Sequence, residues 1–256
     1  MCWVAWAKFR PGNKENMDME IWDLYDENGQ LTGETMARGE KVPKGRYHRV
    51  AEALFINSRG EILLQKRSLK KMLYPDILWY PTGGAVVAGE TVEEACVREV
   101  AEELGFVPDM TGARLLHHQV DRTFIRDLFL ICQDVPVERM RFQEGEVDGA
   151  RWMLPEEIPG GEEGKAFSFM PHLKETLPFL MLESMRKRIP VGKYRHYKGN
   201  EYRVLGLALH SETVEPMVIY QALYGSHETW VRPAGMWNET VTVNGNAIRR
   251  FQKMDD

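Results

Sequence analysis

The chain has 256 residues, of which 43% are hydrophobic and 28% are charged, and its formal net charge is −5. This length fits one large or two ordinary domains, and the composition is that of a globular protein. No hydrophobic run approaches the roughly 20 residues that a membrane-spanning helix needs, so the sequence predicts no membrane partner. Residues 1–188 carry a net charge of −6, which disfavours a nucleic-acid partner, and residues 189–256 carry +1.

The chain begins with an aromatic segment, MCWVAWAKFRPGNKENM, which has no basic region before its apolar stretch and no small-residue cleavage site. We therefore expect residues 1–18 to be an N-terminal extension and not a signal peptide. The three cysteines, Cys2, Cys96 and Cys132, show neither disulfide nor zinc spacing. This pattern fits the reducing environment of the cytoplasm.

Three segments before residue 70 have the composition of β-strands. They are Met19–Tyr25, Arg46–Ile56 and Glu61–Lys66. The first ends at a turn with an Asn-Gly signal, and the last two are joined by a short polar turn, which predicts antiparallel hairpins. We expect residues 30–40 to continue as a polar loop.

The stretch from Gly84 to Phe106 reads GAVVAGETVEEACVREVAEELGF. Thr91 and the glutamate three residues later form a capping-box pattern, which predicts that a helix starts there and runs to about residue 104. Glu99, Glu102 and Glu103 share one sector of this helix, at about 100° per residue. Such a cluster is either an acidic solvated face or a site for a hard divalent cation, which prefers oxygen ligands.

The same stretch matches the spacing G-x5-E-x7-R-E-U-x-E-E-x-G-U, with U apolar, at every fixed position, and it resembles the Nudix box. The resemblance implies an α/β fold in which a loop–helix–loop lies on an α/β/α sandwich with a mixed sheet. It also implies a pyrophosphohydrolase, in which a metal ion assists the attack of water on a diphosphate linked to another group. The expected cofactor is Mg²⁺, with Mn²⁺ as the alternative.

The resemblance also implies roles for single residues. The expected metal ligands are the side chains of the three catalytic glutamates and a backbone carbonyl: Glu99, Glu102, Glu103 and Gly83. Glu99 could instead act as the general base. Glu90 and Arg98 are implied to pair with each other and thereby to aim the carboxylates.

Residues outside the box are candidates for contacting the substrate. Arg67 ends a strand near the box, where a guanidinium could clamp a phosphate. Trp79 could stack on a base, although core packing is the more common role of such a residue. Glu144 and Glu146 lie in an acidic loop, which either supplies a further carboxylate or is simply solvated.

Two other functions are compatible with parts of the sequence. The early chain resembles isopentenyl-diphosphate isomerase, and His48 matches that enzyme. However, Gly83 stands where the isomerase has its catalytic cysteine, and Ala85 stands where it has a metal-binding histidine. A nucleotide-sensing protein without catalysis is the other alternative, but such proteins typically lose box residues, and this box is intact.

The chain changes character after a predicted helix at Met170–Arg188, in which we expect Pro178 to cause a kink or a break. We place a Nudix domain at residues 19–188 and a small, mostly-β domain at residues 191–256. The second domain resembles a short bacterial domain of unknown function. We expect it to act as a lid or to bind a partner, from polar residues at its motif positions: His196, His210, Ser211, Trp230 and Arg232.

The predicted substrate is a small molecule of the nucleoside-diphosphate type. The box carries no information about the group beyond the diphosphate, because Nudix specificity depends on loops outside it. The sequence does not decide the oligomeric state either and allows a homodimer.

Overall fold

In the computed structural model, the described parts of the chain are residues 20–72, 74–160 and 171–255. A seven-stranded mixed sheet organises the larger domain, with strand order β5-β4-β3-β8-β7, while β6 also pairs with β3 and β9 with β4. Its strands are β3 (His48–Ile56), β4 (Ile62–Arg67), β5 (Leu78–Trp79), β6 (Thr82–Ala85), β7 (Arg114–Val120), β8 (Phe124–Cys132) and β9 (Val147–Met153).

Strands β3 and β8 form the parallel centre of this sheet. They pair over their whole length, from His48 opposite Phe124 to Ile56 opposite Cys132. The second half of β3 is buried without alternation, because helices cover both faces of the sheet. The expected strand over Arg46–Ile56 is confirmed as β3.

One helix packs on each face of the sheet. On the first face lies helix α1 (Val92–Glu103), whose side chains Cys96 and Val100 pack against Ala51 and Phe55 of β3. On the opposite face lies helix α2 (Pro171–Arg188), whose Leu180 packs into a second cluster of buried side chains. The domain is therefore an α/β/α sandwich with a mixed sheet, as the sequence predicts.

Helix α1 has the ends that the sequence predicts. The Thr91 hydroxyl accepts a hydrogen bond from the Glu94 backbone N–H at 3.1 Å, and the Glu94 carboxylate accepts one from the Thr91 N–H at 2.9 Å. Gly105 follows the helix with φ of 74°, a conformation that favours glycine. The cap fixes the start of the helix, and so it also fixes which residues face the sheet.

The expectation of a polar loop at residues 30–40 is wrong in part. Strand β2 (Leu31–Ala37) pairs with β1 (Ile21–Tyr25) in an antiparallel hairpin. Most of β2 is exposed, so it lacks the hydrophobic alternation that identifies a strand in a sequence. Strand β6 was also not predicted, because its sequence Thr-Gly-Gly-Ala has low β-propensity and pairing with β3 holds it in place.

Helix α2 is continuous through Pro178, so the expected break is absent. The expected first residue of this helix, Met170, and most of the Gly160–Gly164 loop lie outside the described residues. Among the helices of the described ranges, none is long and apolar enough to cross a membrane.

The C-terminal part of the chain is mostly β. Five antiparallel strands lie in the order β13-β12-β11-β10-β16, and β14 and β15 form a separate hairpin. The elements are β10 (Gly192–His196), β11 (Glu201–Leu209), β12 (Pro216–Ala222), β13 (Thr229–Pro233), the short helix α3 (Ala234–Trp237), β14 (Thr240–Val243), β15 (Asn246–Arg249) and β16 (Phe251–Lys253).

Helix α2 belongs to both hydrophobic cores. Leu180 lies in the core of the larger domain, whereas Met185 and Ile189 are buried in the C-terminal core beside Tyr220 and Trp237. The domain limits at residues 188 and 191 stay predictions. The packing nevertheless shows that a chain cut at residue 188 would expose Met185, so the two domains are joined by a shared helix and not by a free linker.

Replacing Met185 by alanine should therefore destabilise the protein. Its side chain is only 6% exposed, and loss of such a methionine from a core costs about 2–5 kcal/mol. Met236, which is 41% exposed in the same domain, is the matched control, and Met236→Ala should cost less than about 0.5 kcal/mol. Urea unfolding of both variants measures the difference, and equal losses would contradict the shared core.

Candidate active site

Two glycines of β6 bring the sheet against helix α1. A side chain at Gly83 would collide with the carbonyl oxygen of Ala51 in the neighbouring strand β3. A Cβ atom at Gly84 would lie 2.5 Å from Oε1 of Glu99. Glycine at position 83 therefore lets β6 lie close to β3, and glycine at position 84 lets the carboxylate of Glu99 lie against the backbone of β6.

Arg98 connects the loop before α1 to the carboxylates on it. Its Nε donates to Glu90 at 2.8 Å, and its Nη2 donates to the carbonyl oxygen of Ala85 at 2.9 Å. Its Nη1 lies 2.6 Å from Glu99 and 3.5 Å from Glu102. The structure thus brings Glu90 and Arg98 into the contact that the resemblance implies, and Arg98 reaches two of the glutamates as well.

The three glutamates differ in their surroundings. Glu103 is buried, with 9% of its surface exposed, whereas the side chain of Glu102 is 45% exposed. Burial and, to a smaller extent, the negative charge of Glu99 together raise the pKa of Glu103 to about 7. Burial also raises the pKa of Glu99, an effect that the Arg98 guanidinium opposes. Two buried carboxylates side by side are costly unless a positive charge lies between them.

The carboxylates fit a hard divalent cation, although within the described ranges no three His, Cys, Asp or Glu side chains already converge as a ligand set. Oε2 of Glu103 is buried without a hydrogen-bond partner. A buried carboxylate oxygen in that state is costly, and a cation is the partner that its chemistry suits. The negative charge of Glu99 is paired with Arg98, so the Glu99 carboxylate would have to contact both Arg98 and the ion.

Two cations, Lys71 and Arg67, lie near the buried carboxylate of Glu103. Lys71 forms an ion pair with Glu146, and its charge also acts on Glu103. The Arg67 guanidinium lies 4.9 Å from the centre of the Trp79 ring and lowers the pKa of Glu103. The structure therefore places Arg67 near Glu103. Glu146 is linked to the same carboxylate only through Lys71, with which it forms an ion pair.

The other two residues proposed to contact substrate are placed differently. Trp79 is buried in the sheet core, where its ring stacks with Tyr74 and supports Arg67. The side chain of Glu144 is exposed and pairs with Lys70 at 3.0 Å. Neither is in contact with the three box glutamates through any hydrogen bond or ion pair seen in the described residues.

Sequence reasoning missed two polar residues near the site. The side-chain amide of Gln65, on β4, donates to the Pro81 carbonyl at 3.2 Å and also hydrogen-bonds Glu103. Glu52 lies on β3 directly opposite Gly83, is buried, and forms an ion pair with Arg126 at 3.2 Å. A glutamate inside the hydrophobic run RVAEALF is a visible signal for Glu52, whereas nothing in the sequence singles out Gln65.

Comparison with family models shows which family the chain belongs to. A model described as the NUDIX domain matches residues 46–173, which is half of the chain. The chain belongs to the Nudix family. It is a Nudix-type hydrolase, which acts on pyrophosphate bonds, and such hydrolases generally use divalent metal ions. A second model, described as a protein of unknown function (DUF1653), matches residues 192–253.

The individual relatives of the chain include a hydrolase and an isomerase. An uncharacterized Nudix hydrolase of Listeria monocytogenes is 37% identical over 140 residues, covering 55% of this chain and 83% of the relative. An isopentenyl-diphosphate Delta-isomerase of Nocardia farcinica is 27% identical over 168 residues, covering 60% of this chain and 91% of the relative.

Two solved structures each resemble one part of the chain. A crystal structure from Deinococcus radiodurans is 28% identical and covers 54% of this Nudix-family chain and 85% of its own, with a TM-score of 0.44. A structure of a DUF1653 protein from Bordetella bronchiseptica is 40% identical and covers 26% of this chain and 87% of its own, with a TM-score of 0.25.

A single methyl group added at Gly84 should disturb the position of the Glu99 carboxylate, because the two are in close contact. Gly84→Ala should displace the flexible Glu99 carboxylate and reduce hydrolysis on the order of 100-fold, because an error of about 1 Å in a catalytic group has that effect. Stability should change little, since the carboxylate can move. Gly149→Ala on β9 is the control, because its Cβ would meet nothing within 4 Å. Equal kcat/KM values for both variants would contradict the close approach.

Proposed function

We propose that this Nudix hydrolase cleaves the diphosphate linkage of a small molecule of the nucleoside-diphosphate type, with Mg²⁺ or Mn²⁺ as cofactor. The observation that carries the proposal is a pair of carboxylates on the box helix: Glu103, which is buried, and Glu99, whose side chain is 14% exposed. The unpartnered Oε2 of Glu103 and the nearby cations give this pair a place for an ion and a place for phosphates.

The ligands that we propose for the ion are Glu99 and Glu103, with Glu102 at the exposed edge and the carbonyl of Gly83. A Cβ atom at Gly84 would lie 2.5 Å from Oε1 of Glu99, so the backbone of Gly84 is close to this carboxylate and its carbonyl is a second candidate. When bound, such an ion neutralises phosphate oxygens and lowers the pKa of a coordinated water. The protein's own contribution is to hold these oxygens in place, and Arg98 and Glu90 do this from the side of the loop.

The phosphates of the substrate are expected to bind beside Arg67 and Lys71. Both cations act on Glu103 electrostatically, which sets them close to the proposed metal site. The ring of Trp79 supports the Arg67 guanidinium from below, so Trp79 would act on the substrate through Arg67. Burial lowers the pKa of Lys71 and of Arg67, and a bound anionic phosphate would compensate the cost of holding both charges there.

The isomerase alternative has less support from these side chains. The position opposite Glu52 on the sheet is Gly83, which offers no thiol for protonation of an alkene. His48, the matching histidine, stacks on Trp22 with ring centres 4.4 Å apart, and burial lowers its pKa. The sensor alternative would predict a damaged box, and every box residue is present. We therefore place hydrolysis above both.

Glu99→Gln and Glu103→Gln should each reduce turnover on the order of 100-fold or more, because each removes a charge that would hold the ion. The assay is phosphate release in the presence of Mg²⁺. It is run on a panel of nucleotide sugars, dinucleoside polyphosphates, oxidised nucleotides and coenzyme A.

Glu93→Gln is the matched control on the same helix, since Glu93 is exposed in the first turn. It should keep full activity. Full activity in Glu99→Gln or Glu103→Gln would refute the proposed metal site, and a wild-type protein that cleaves no compound of the panel would refute the substrate class.

A further inference from the structure

The C-terminal domain contains a cavity that the proposed hydrolysis does not use. Its volume is about 370 Å³, within the range of small-molecule sites. Strands β10 and β16 and the β14–β15 hairpin line it, and it is open to solvent on one side. The side chains that matter for its chemistry are Arg195, His196, Tyr197, Ile248, Arg249 and Gln252.

The wall of this cavity is positively charged. Arg195 forms an ion pair with Glu201 at 2.8 Å, but Arg249 has no ion-pair partner anywhere in the described ranges of the chain. Lys198 lies over the ring of Tyr197 at 5.7 Å, next to the cavity. None of the residues that line the cavity, all of which are described, is acidic. On a chain whose net charge is −5, such a surface selects anions.

His196 also lines this space, but it follows Arg195 on β10, and its ring packs against Phe251 on the other face of the sheet, with ring centres 4.8 Å apart. Its Nδ1 accepts a hydrogen bond from the backbone N–H of Lys198 at 3.3 Å. This bond leaves the proton of the neutral ring on Nε2. Burial and the nearby positive charges of Arg232, Arg250 and Lys198 lower the pKa of His196.

The backbone around the cavity is fixed by hydrogen bonds. The Tyr197 N–H donates to the carbonyl of Arg250 at 3.0 Å, and the His196 N–H donates to that of Asn200 at 2.9 Å. Arg195 and Gln252 face each other across the β10–β16 pair, on the same side of the sheet. The cationic and amide groups are therefore held on rigid strands, which favours a preformed site.

We propose that this cavity binds a small phosphate monoester. The unpaired guanidinium of Arg249 and the Arg195 guanidinium supply donors for a phosphate dianion. The volume exceeds that of a phosphate group alone, and the exposed Ile248 side chain gives an organic part of the ligand an apolar contact. This assignment extends beyond the proposed hydrolysis and does not depend on it.

The test is calorimetric titration of the full-length protein with AMP and with inorganic phosphate. A chelator is present and Glu103→Gln is the background, so that nothing is hydrolysed. AMP should bind, and inorganic phosphate should compete with it. Arg249→Gln should weaken AMP binding about tenfold, the effect of one charge-assisted contact. Gln252→Glu, which places a carboxylate in the cavity, should weaken it as well.

Arg203→Gln is the matched control, because Arg203 is an exposed cation on β11 outside the cavity. It should leave the affinity for AMP within about twofold. Three results would overturn the proposal. They are no AMP binding at millimolar concentrations, equal affinities in all variants, and tighter binding of a 5′-phosphorylated oligonucleotide than of AMP.

Discussion

The site depends on the hydrogen bonds that the guanidinium of Arg98 makes. The guanidinium joins the loop residue Glu90, the backbone of β6 at Ala85 and the carboxylate of Glu99 in one set of hydrogen bonds. Without it, Glu99 would be a buried carboxylate with no cation beside it. A planar fork of donors serves this purpose better than an ammonium group, because it holds several acceptors at once.

The buried carboxylates come at a cost to stability, and this cost indicates function. Burial raises the pKa of Glu103 to about 7 and also raises that of Glu99. Groups whose pKa is raised by burial and by a neighbouring charge are typical of functional sites. The sheet, the cap at Thr91 and the glycines of β6 supply the rigidity that keeps these groups in place.

Much of this account could be predicted from the sequence, for reasons that are local. The capping box at Thr91 and the glycine after the helix fix α1, and the hydrophobic runs fix β3 and β8. Strand β2 could not be predicted, because an exposed strand has no alternation, and the role of Gln65 could not, because its contact with Glu103 depends on tertiary structure. The shared core around Met185 could not be predicted either, because it also depends on tertiary structure.

The position of α2 also changes the interpretation of the C-terminal domain. This helix covers the face of the sheet opposite to α1, and its end enters the C-terminal core. A lid would have to reach the box helix from the far side of the sheet, so the arrangement favours a separate binding role for this domain. A hydrogen bond from Arg186 to the Leu207 carbonyl at 3.4 Å is a further contact between this helix and β11.

The central claim is that Glu99 and Glu103 are held for a divalent cation. Titration of the protein with Mn²⁺, followed by the loss of the free-ion electron paramagnetic resonance signal, tests it without any substrate. We expect the wild type to bind Mn²⁺ at least about tenfold more tightly than Glu103→Gln, while Glu93→Gln binds like the wild type. Equal affinity in the wild type and Glu103→Gln would contradict the account.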